Sequence, residues 1–375
     1  MKIMFATTCL DYSGAPKMMA WVANQMAERG HEVHLVTFYS EEQARILHDN
    51  VQMSSLRITK SKSRLVRNTM GMLKTVSRLH KEVRKLKPDI VVSFLDSVGY
   101  VYLPIGRFFA MAKMVASERV DPYSYHGKTA LARFALMQFA HGTVFQTTGA
   151  RQFFEKQKRI YDRSTVIPNP VVLGEHVLAI QKKIPSFSQR DKRIVTVGRL
   201  SLRQKRQDVL LEAFKLFHEE NPEYTLVMYG DGPDRERIQA MIDESGLSDC
   251  AVLAGRTDRV EEEIFHAAVF VLTSDYEGIP NALIEAMSIG VPCVSTDCSP
   301  GGAELLIRDG ENGFLVSRGD ANAIAAKISI LVNDAKTAER FSKNSPAITS
   351  EFSEDVIAGK WESYLERIAK GKEIE

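Results

Sequence analysis

Residues 193–200 read RIVTVGRL: a short apolar run that ends on Gly198 and Arg199, with Lys205 five residues further on, ahead of a helical pattern. A strand that hands over to an amphipathic helix in this way is the repeating unit of a parallel sheet with crossover helices. The unit recurs on both sides. Upstream, KIMFAT, HEVHLVTF, DIVVSFL, KMVAS and GTVFQT alternate with helical stretches, the first over residues 16–29. Downstream come TLVMYG, AVLAGR, VFVLTS, PCVST and GFLV. Between the two series, after STVIPNPV, residues 171–193 lose the alternation and carry Gly174, Pro185, Ser186 and Ser188, the composition of a linker. The expected fold class is α/β: two tandem Rossmann-like, doubly wound domains over 1–175 and 190–352. Residues 353–375 add a C-terminal helix that packs back toward the first domain and a frayed tail. Ligands of such sheets sit beyond the carboxyl ends of the strands, so an interdomain cleft is the expected site.

With 375 residues, 44% of them hydrophobic and 26% charged, the chain has room for two cores, and its composition excludes disorder and a membrane bundle. The first apolar run is about six residues long, a strand rather than a signal peptide. The best candidate for a spanning segment, residues 99–116, is broken by Pro104, Arg107 and Lys113. A cytoplasmic protein is expected. Cys9, Cys250, Cys293 and Cys298 have neither metal nor redox spacing and read as reduced structural thiols. The net charge of +2 hides a split: residues 1–180 hold 25 Lys and Arg against 14 Asp and Glu, and the remainder 24 against 33. Residues 60–87 alone hold ten basic residues and one acid, Glu82. That stretch is either a solvated helix face or a surface for anionic lipid or a diphosphate head group; without aromatics it fits nucleic acid poorly.

Residues 275–290, DYEGIPNALIEAMSIG, carry two glutamates eight positions apart. VFVLTS reads as a strand, residues 275–279 as the loop leaving its carboxyl end, and Pro280 as the first residue of a helix. Glu277 then projects from the loop while Glu285 lies in the second turn. The two carboxylates can grip separate hydroxyl-bearing parts of one extended ligand, with helix N-terminal amides for an anion between them; alternatively Glu277 only complements the helix dipole and Glu285 is surface. Arg199 and Lys205, leaving a strand end, can hold a diphosphate, the one by a fork and the other as a point charge, unless they are merely solvated. In SPGGAELLIRDGENG, Gly301-Gly302 open a helix with room for close backbone approach, or form a plain turn. Gly14 in DYSGAPKMM stands similarly after the first strand.

In their joint order, GRL…K, YGDGP, E-G-I-P-N-A-L-I-E, and G-G-A-E-L with DGENGFLV, these features resemble the family-4 retaining glycosyltransferases of GT-B fold. The likeness spans nearly the whole chain and is strongest over 193–316. It implies an acceptor-binding first domain and a nucleotide-sugar-binding second one. Arg199 and Lys205 would sit at the diphosphate, Glu285 at the ribose, and Glu277 with the backbone of Gly278, Ile279, Pro280 and Asn281 at the donor sugar. Gly14 and Gly198 would line the donor, and Arg256 and Thr257 the base. SERVDPY and FLDS are similar to the branch that builds bacterial surface polysaccharides and lipid-linked oligosaccharides, which makes Arg119 and Asp121 candidates for contact with donor sugar or acceptor. Three departures stand out. Ser13-Gly14 replaces a common Gly-Gly; the interval to Lys205 is one residue longer, so Arg203 could share its role; and Arg119 stands where relatives often carry histidine, with His126 nearby.

The implied reaction moves a sugar from a nucleotide donor, UDP-hexose or UDP-N-acetylhexosamine, to a saccharide hydroxyl with retention. No D-x-D occurs, so no metal is expected, Arg199 and Lys205 taking its place. No cofactor is expected either, the nucleotide-sugar being a substrate. Expected partners are that donor, a lipid-linked or saccharide acceptor and an anionic membrane surface, with no nucleic acid, at the inner face of the plasma membrane. An epimerase or phosphorylase of the same fold and a catalytically silent sugar-binding subunit are the alternatives. A dehydrogenase fits less well, since G-D-G-P-D-R at 230–235 lacks the third glycine of the dinucleotide fingerprint.

Overall fold

Every strand pairing among the described residues is parallel, in two separate sheets. The computed structural model describes residues 1–10, 14–39, 47–58, 70–94, 97–109, 112–119, 121–171 and 175–371. Ser13, Leu95, Asp96 and residues 60–69 of the basic stretch lie outside them. The chain divides into two units, Met1–Asn169 with Asp355–Glu375, and Pro170–Glu354.

The first unit holds β1 (Lys2–Thr7), β2 (Glu32–Thr37), β3 (Val51–Ser55), β4 (Ile90–Phe94), β5 (Lys113–Ser117), β6 (Gly142–Phe145) and β7 (Ser164–Val166). Their order is β3-β2-β1-β4-β5-β6-β7. Crossovers include α1 (Gly14–Glu28), α2 (Met70–Leu86), α3 (Ser97–Phe109) and α4 (Gly127–Met137). β4, IVVSF, is buried at every residue and reads as an apolar run interrupted only by Ser93, the pattern of a central strand covered on both faces. The edge strand β3, VQMSS, is only partly buried and has no such run, which is why the apolar pattern does not announce it. The C-terminal helix Glu354–Ala369 belongs to this unit and buries Trp361, Tyr364, Leu365 and Ile368. Tyr364 Oη donates to Thr143 O (3.1 Å) and Arg163 O (2.8 Å), and Arg29 Nη1 donates to Glu362 (3.0 Å).

The second unit holds β8 (Asp191–Val197), β9 (Thr225–Tyr229), β10 (Ala251–Gly255), β11 (Ala267–Leu272), β12 (Cys293–Thr296) and β13 (Phe314–Val316), in the order β10-β9-β8-β11-β12-β13. Its helices include α5 (Leu202–Lys205), α6 (Gln207–Glu220), α7 (Arg235–Glu244), α8 (Asn281–Ser288) and α9 (Ala321–Asn333). On α6, Val209, Leu210, Ala213, Phe214 and Phe217 recur at helical spacing and form the stripe that packs into the core with Ile324 and Ile328 of α9. Asp320 caps α9 by accepting from Ala323 N (2.9 Å). Residues 175–193, part of the segment expected as a linker, lie within this unit: Glu175–Gln181 is helical, and Arg190 donates to Ala267 O (2.9 Å) and Gly290 O (2.7 Å); Gly174 lies outside the described residues. The half-buried Arg190 guanidinium shares the holding of this segment with Gln181 Nε2, which donates to Ser288 O (2.7 Å). None of Cys9, Cys250, Cys293 and Cys298 is in a disulfide. No helix among the described residues is long and apolar enough to cross a membrane.

Candidate active site

The strand order of the second sheet reverses between β8 and β11, and at such a switch point the loops beyond two adjacent strands diverge and leave a crevice. The loop after β8 carries Gly198, Arg199 and Lys205; the loop after β11 carries Glu277. Adjacency of these two strands brings Lys205 Nζ into an ion pair with Glu277 Oε1, with side-chain exposures of 17% and 11%. Ser274 Oγ donates to the same carboxylate oxygen (2.8 Å). The lysine stem packs on Gly198, where a β-carbon would stand 3.3 Å from Lys205 Cε.

Further bonds join the two loops. Thr273 Oγ1 donates to Lys205 O (2.7 Å), Asp275 N to Gln204 O (2.9 Å) and Gln204 Nε2 to Tyr276 O (3.2 Å). Arg206 turns the chain from α5 into α6 with left-handed backbone angles (φ 50°, ψ 50°), at a cost of roughly 1 kcal/mol for a residue with a β-carbon. Its guanidinium offsets that cost by bonding Asp208 (3.0 Å) and both carboxylate oxygens of Asp275 (3.2 Å each). Lys205 therefore ends a one-turn helix of its own and does not simply precede α6.

Beyond the ends of β8, β9 and β10 lies a cleft of about 730 Å³, lined among others by Gly198, Arg199, Tyr229, Asp231, Arg256 and Thr257. Its floor is drawn tight by backbone bonds from Gly198 N to Tyr229 O (2.9 Å) and from Gly230 N to Gly255 O (2.7 Å). Only glycine fits at Gly230, where φ is +131° and a β-carbon would stand 1.9 Å from Gly198 O. Arg199 is exposed and Arg256 lies 3.9 Å from Asp231. A smaller recess lined by Lys205 and Ser274 shares Val197, Gly198 and Tyr229 with this cleft. After Glu277, Gly278 and Asn281 are exposed, Ile279 and Pro280 are buried, and Glu285 is half-buried in the second turn of α8. Pro280 is the N-cap and Asn281 the first helical residue, one position later than expected. Gly302 packs under this loop: a β-carbon there would meet Gly278 O at 2.1 Å.

The remaining candidates belong to the first unit. Gly14 opens α1. The Arg119 guanidinium lies over Phe94 (4.4 Å) and near Trp361 (5.8 Å), and its Nη1 donates to Asn169 Oδ1 (3.0 Å). Burial pushes its pKa down to about 9, so it stays charged at neutral pH. Asp121 accepts from Tyr123 N (2.9 Å) and caps the short helical turn Pro122–Ser124. Arg203 and His126 are exposed. Of the basic stretch, Arg78 donates to Leu56 O (2.7 Å) and Lys85 pairs with Glu82 (3.4 Å). Among the described residues no group of three His, Cys, Asp or Glu could hold a metal ion. Sequence reading missed Ser274, Gln204, Arg206 and Asp275; a serine closing a strand end just ahead of DYEG is the only local hint of the first.

Two doubly wound parallel sheets in one chain, with the second one's crevice at its switch point, are the architecture of the GT-B class. Residues 12–175 match the model for Glycosyltransferase Family 4 and residues 179–347 that for Glycosyl transferases group 1. The chain belongs to the family-4 glycosyltransferases. It is 25% identical over 252 residues to an uncharacterised glycosyltransferase of Methanocaldococcus jannaschii, covering 63% of this chain and 62% of the relative. The chain thus spans less than two thirds of that relative's length. A second relative is the GalNAc-alpha-(1->4)-GalNAc-alpha-(1->3)-diNAcBac-PP-undecaprenol alpha-1,4-N-acetyl-D-galactosaminyltransferase of Campylobacter jejuni, 24% identical over 96% of this chain and 97% of its own. Among solved structures, the lipopolysaccharide outer core galactosyltransferase WaaB in its apo form is similar with a TM-score of 0.79 at 20% identity, covering 98% of this chain and 99% of that one. Anabaena HepE in complex with UDP and glucose has a TM-score of 0.72 at 19% identity, covering 98% and 99%.

Proposed function

We propose that the protein transfers a hexose or N-acetylhexosamine from a UDP-sugar to a hydroxyl of a saccharide acceptor, with retention at the anomeric carbon and without a metal ion. The observation that carries this reading is the grouping at the β8/β11 switch point: Lys205 held on Glu277, beside Gly198 and Arg199 at the mouth of a cleft large enough for a nucleotide. Breaking the anomeric bond loads negative charge onto the leaving diphosphate, and a fixed cation there lowers the barrier more than it stabilises the bound donor. Lys205 is assigned that place, with Arg199 on the outer phosphate. An ammonium has three donors, so Lys205 can keep Glu277 while it bonds a phosphate oxygen. Glu277 takes a hydroxyl of the donor sugar, Glu285 the ribose, and Arg256 and Thr257 flank the base. The acceptor hydroxyl attacks from the face the diphosphate leaves, and the departing phosphate takes its proton.

The UDP donor is supported by the HepE complex. A lipid-linked acceptor is supported by the PP-undecaprenol in the name of the Campylobacter relative, and work in surface glycan synthesis by that relative and by WaaB. Incubation with UDP-glucose, UDP-galactose, UDP-N-acetylglucosamine and UDP-N-acetylgalactosamine, each with an undecaprenyl-diphosphate-linked saccharide, tests the reading by product mass. One added hexosyl or N-acetylhexosaminyl unit, insensitive to chelator, is the expected result. Epimerised donor without acceptor, or sugar release that requires free phosphate, would instead select the epimerase or the phosphorylase.

A further inference from the structure

Strands β5, β6 and β7 lie side by side in the first sheet, so the residues just beyond their carboxyl ends meet at the edge where parallel sheets take ligands. Arg119 follows β5 by two residues, Gln146 follows β6 directly and Asn169 follows β7 by three. Their side chains are joined: Arg119 Nη1 and Gln146 Nε2 both donate to Asn169 Oδ1, each at 3.0 Å. The backbones beneath them are fixed. Gln146 stands against the N-cap Thr147, whose hydroxyl accepts from Ala150 N (3.1 Å), and Asn169 lies between Pro168 and Pro170, where the following proline holds it extended. The guanidinium decides how both amides are turned. Arginine has donors only, so the atom of Asn169 that meets it must be the carbonyl oxygen, and the atom of Gln146 that meets the same oxygen must be its NH2. The opposite atoms are left over: Asn169 presents Nδ2 with its two N–H groups, and Gln146 presents Oε1. Both residues are half-buried, yet neither of these atoms has a hydrogen-bond partner among the described residues and neither is sealed from solvent. Arg119, held over the Phe94 ring, places a positive charge behind Asn169 that strengthens its N–H donors.

A donor and an acceptor on two neighbouring amides select among the groups that a saccharide ligand carries. A carboxylate or phosphate has only acceptors and would set a like oxygen against Gln146 Oε1; an ammonium has only donors and would face Asn169 Nδ2 and the charge of Arg119. A hydroxyl has to serve both atoms with one oxygen. If the two atoms converged, Asn169 Nδ2 would bond Gln146 Oε1 and close a ring of two hydrogen bonds; that bond is not made, so they stand apart. A secondary amide carries its N–H and its C=O on separate atoms and meets both requirements at once.

We propose that Gln146 and Asn169 bind the acetamido group of an N-acetylated sugar, Asn169 Nδ2 donating to its carbonyl oxygen and Gln146 Oε1 accepting from its N–H, with Arg119 as the residue that positions both. The inference deepens the glycosyl-transfer reading and rests on it. The acetamido group can arrive on the acceptor or on the donor, and the test has one arm for each. In the first, saturation-transfer NMR with UDP present measures binding of the methyl glycosides of N-acetylglucosamine, N-acetylgalactosamine, glucose and galactose. In the second, calorimetry compares the UDP-linked forms of the same four sugars. The acetamido forms are expected to bind about tenfold or more tightly than the plain ones in one arm, and that arm identifies the source. Asn169→Asp keeps the shape of the side chain and gives Arg119 a carboxylate, so the first unit should melt no lower; it also sets an oxygen against the acetamido carbonyl and should erase the preference. Arg119→Met frees Asn169 to turn either way and should shrink the preference while binding of the plain sugars holds. Equal affinity, or none, for acetamido and plain sugars in both arms overturns the proposal, as does a preference that survives Asn169→Asp in the folded chain. UDP alone is titrated in every sample: UDP binding without any preference would sink this inference only, whereas failure of the unaltered chain to bind UDP would sink the transfer reading on which it rests.

Discussion

If Lys205 serves both the fold and the reaction, the two roles separate in a double-mutant cycle of Lys205→Met and Glu277→Gln. The pair is mostly buried, at 17% and 11% exposure, and Ser274 adds a hydrogen bond to the same carboxylate oxygen. Removing one partner of a fully buried pair costs about 3–5 kcal/mol; with residual access to water here, ~2–3 kcal/mol is expected for each single variant. In a unit of this size 1 kcal/mol moves Tm by about 2–4 °C, so each single change should lower the melting of the second unit by roughly 5–10 °C. Changing both residues leaves no unpaired charge and should cost only ~1 kcal/mol in place of the ~4–6 kcal/mol of two independent losses, a coupling of ~3 kcal/mol or more. Turnover should behave differently. Loss of the cation at the leaving diphosphate should lower kcat by ~10²–10³ in Lys205→Met, and the double variant should stay as slow. Melting followed by circular dichroism and steady-state release of UDP supply the two readouts. Recovery of activity along with stability in the double variant would refute the catalytic assignment and leave Lys205 as scaffold. Near-normal turnover in folded Lys205→Met would do the same.

Glu285→Ala should raise the UDP-sugar KM roughly tenfold with kcat nearly unchanged, because ribose contacts persist from ground to transition state; a kcat loss at constant donor affinity, measured by calorimetry, would contradict this. Burial holds His141 at about 4 when folded against about 6.5 unfolded, so it contributes stability that is present above pH 6.5 and lost as pH falls toward 4. Melting of the first unit should decline across that window by at most about 1.4 kcal/mol per pH unit from this group, and His141→Gln should flatten the decline. Gly302→Ala places a β-carbon 2.1 Å from Gly278 O, so the loop that carries Glu277 must move. A loss of at least ~2 kcal/mol in a melt and weaker UDP binding are expected; an unchanged melt would show that the loop yields freely.

The architecture was readable because its strands are buried on both faces: Ala267–Leu272 is apolar without a break and Ile90–Phe94 is interrupted only by the buried Ser93, so no solvated face dilutes the signal. Where burial is partial the signal fades, as in Val51–Ser55, whose serines and glutamine look like loop. The turn at Leu202–Lys205 was missed for another reason. One helical turn has no periodicity to detect, and Arg206 takes left-handed angles that a sequence announces only when glycine occupies the position. For the site, Lys205 and Glu277 were each visible as chemistry at a strand end. Their pairing was not, because they lie 72 residues apart and meet only through the adjacency of β8 and β11, and alternation of strands and helices does not encode strand order.

That adjacency also explains why the supporting residues resist sequence reading. Asp275 and Arg206 have no function that can be named from their own neighbourhoods, yet their ion pair, with the bonds at Thr273 and Gln204, makes one body of the loops beyond β8 and β11. A cation that must meet charge developing on a leaving group is useful only if it is already in place when the bond breaks, since moving it then would cost the stabilisation it supplies. Lys205 sits on a one-turn helix too short to be stable by itself, so its position depends on what the neighbouring loop provides. The strained backbone at Arg206 fits this account: a glycine there would relieve the angles but would forfeit the guanidinium that ties Asp275 to the turn. Precision at Lys205 is thus supplied by residues that touch no substrate, and the chain accepts a locally unfavourable conformation at position 206 to obtain it.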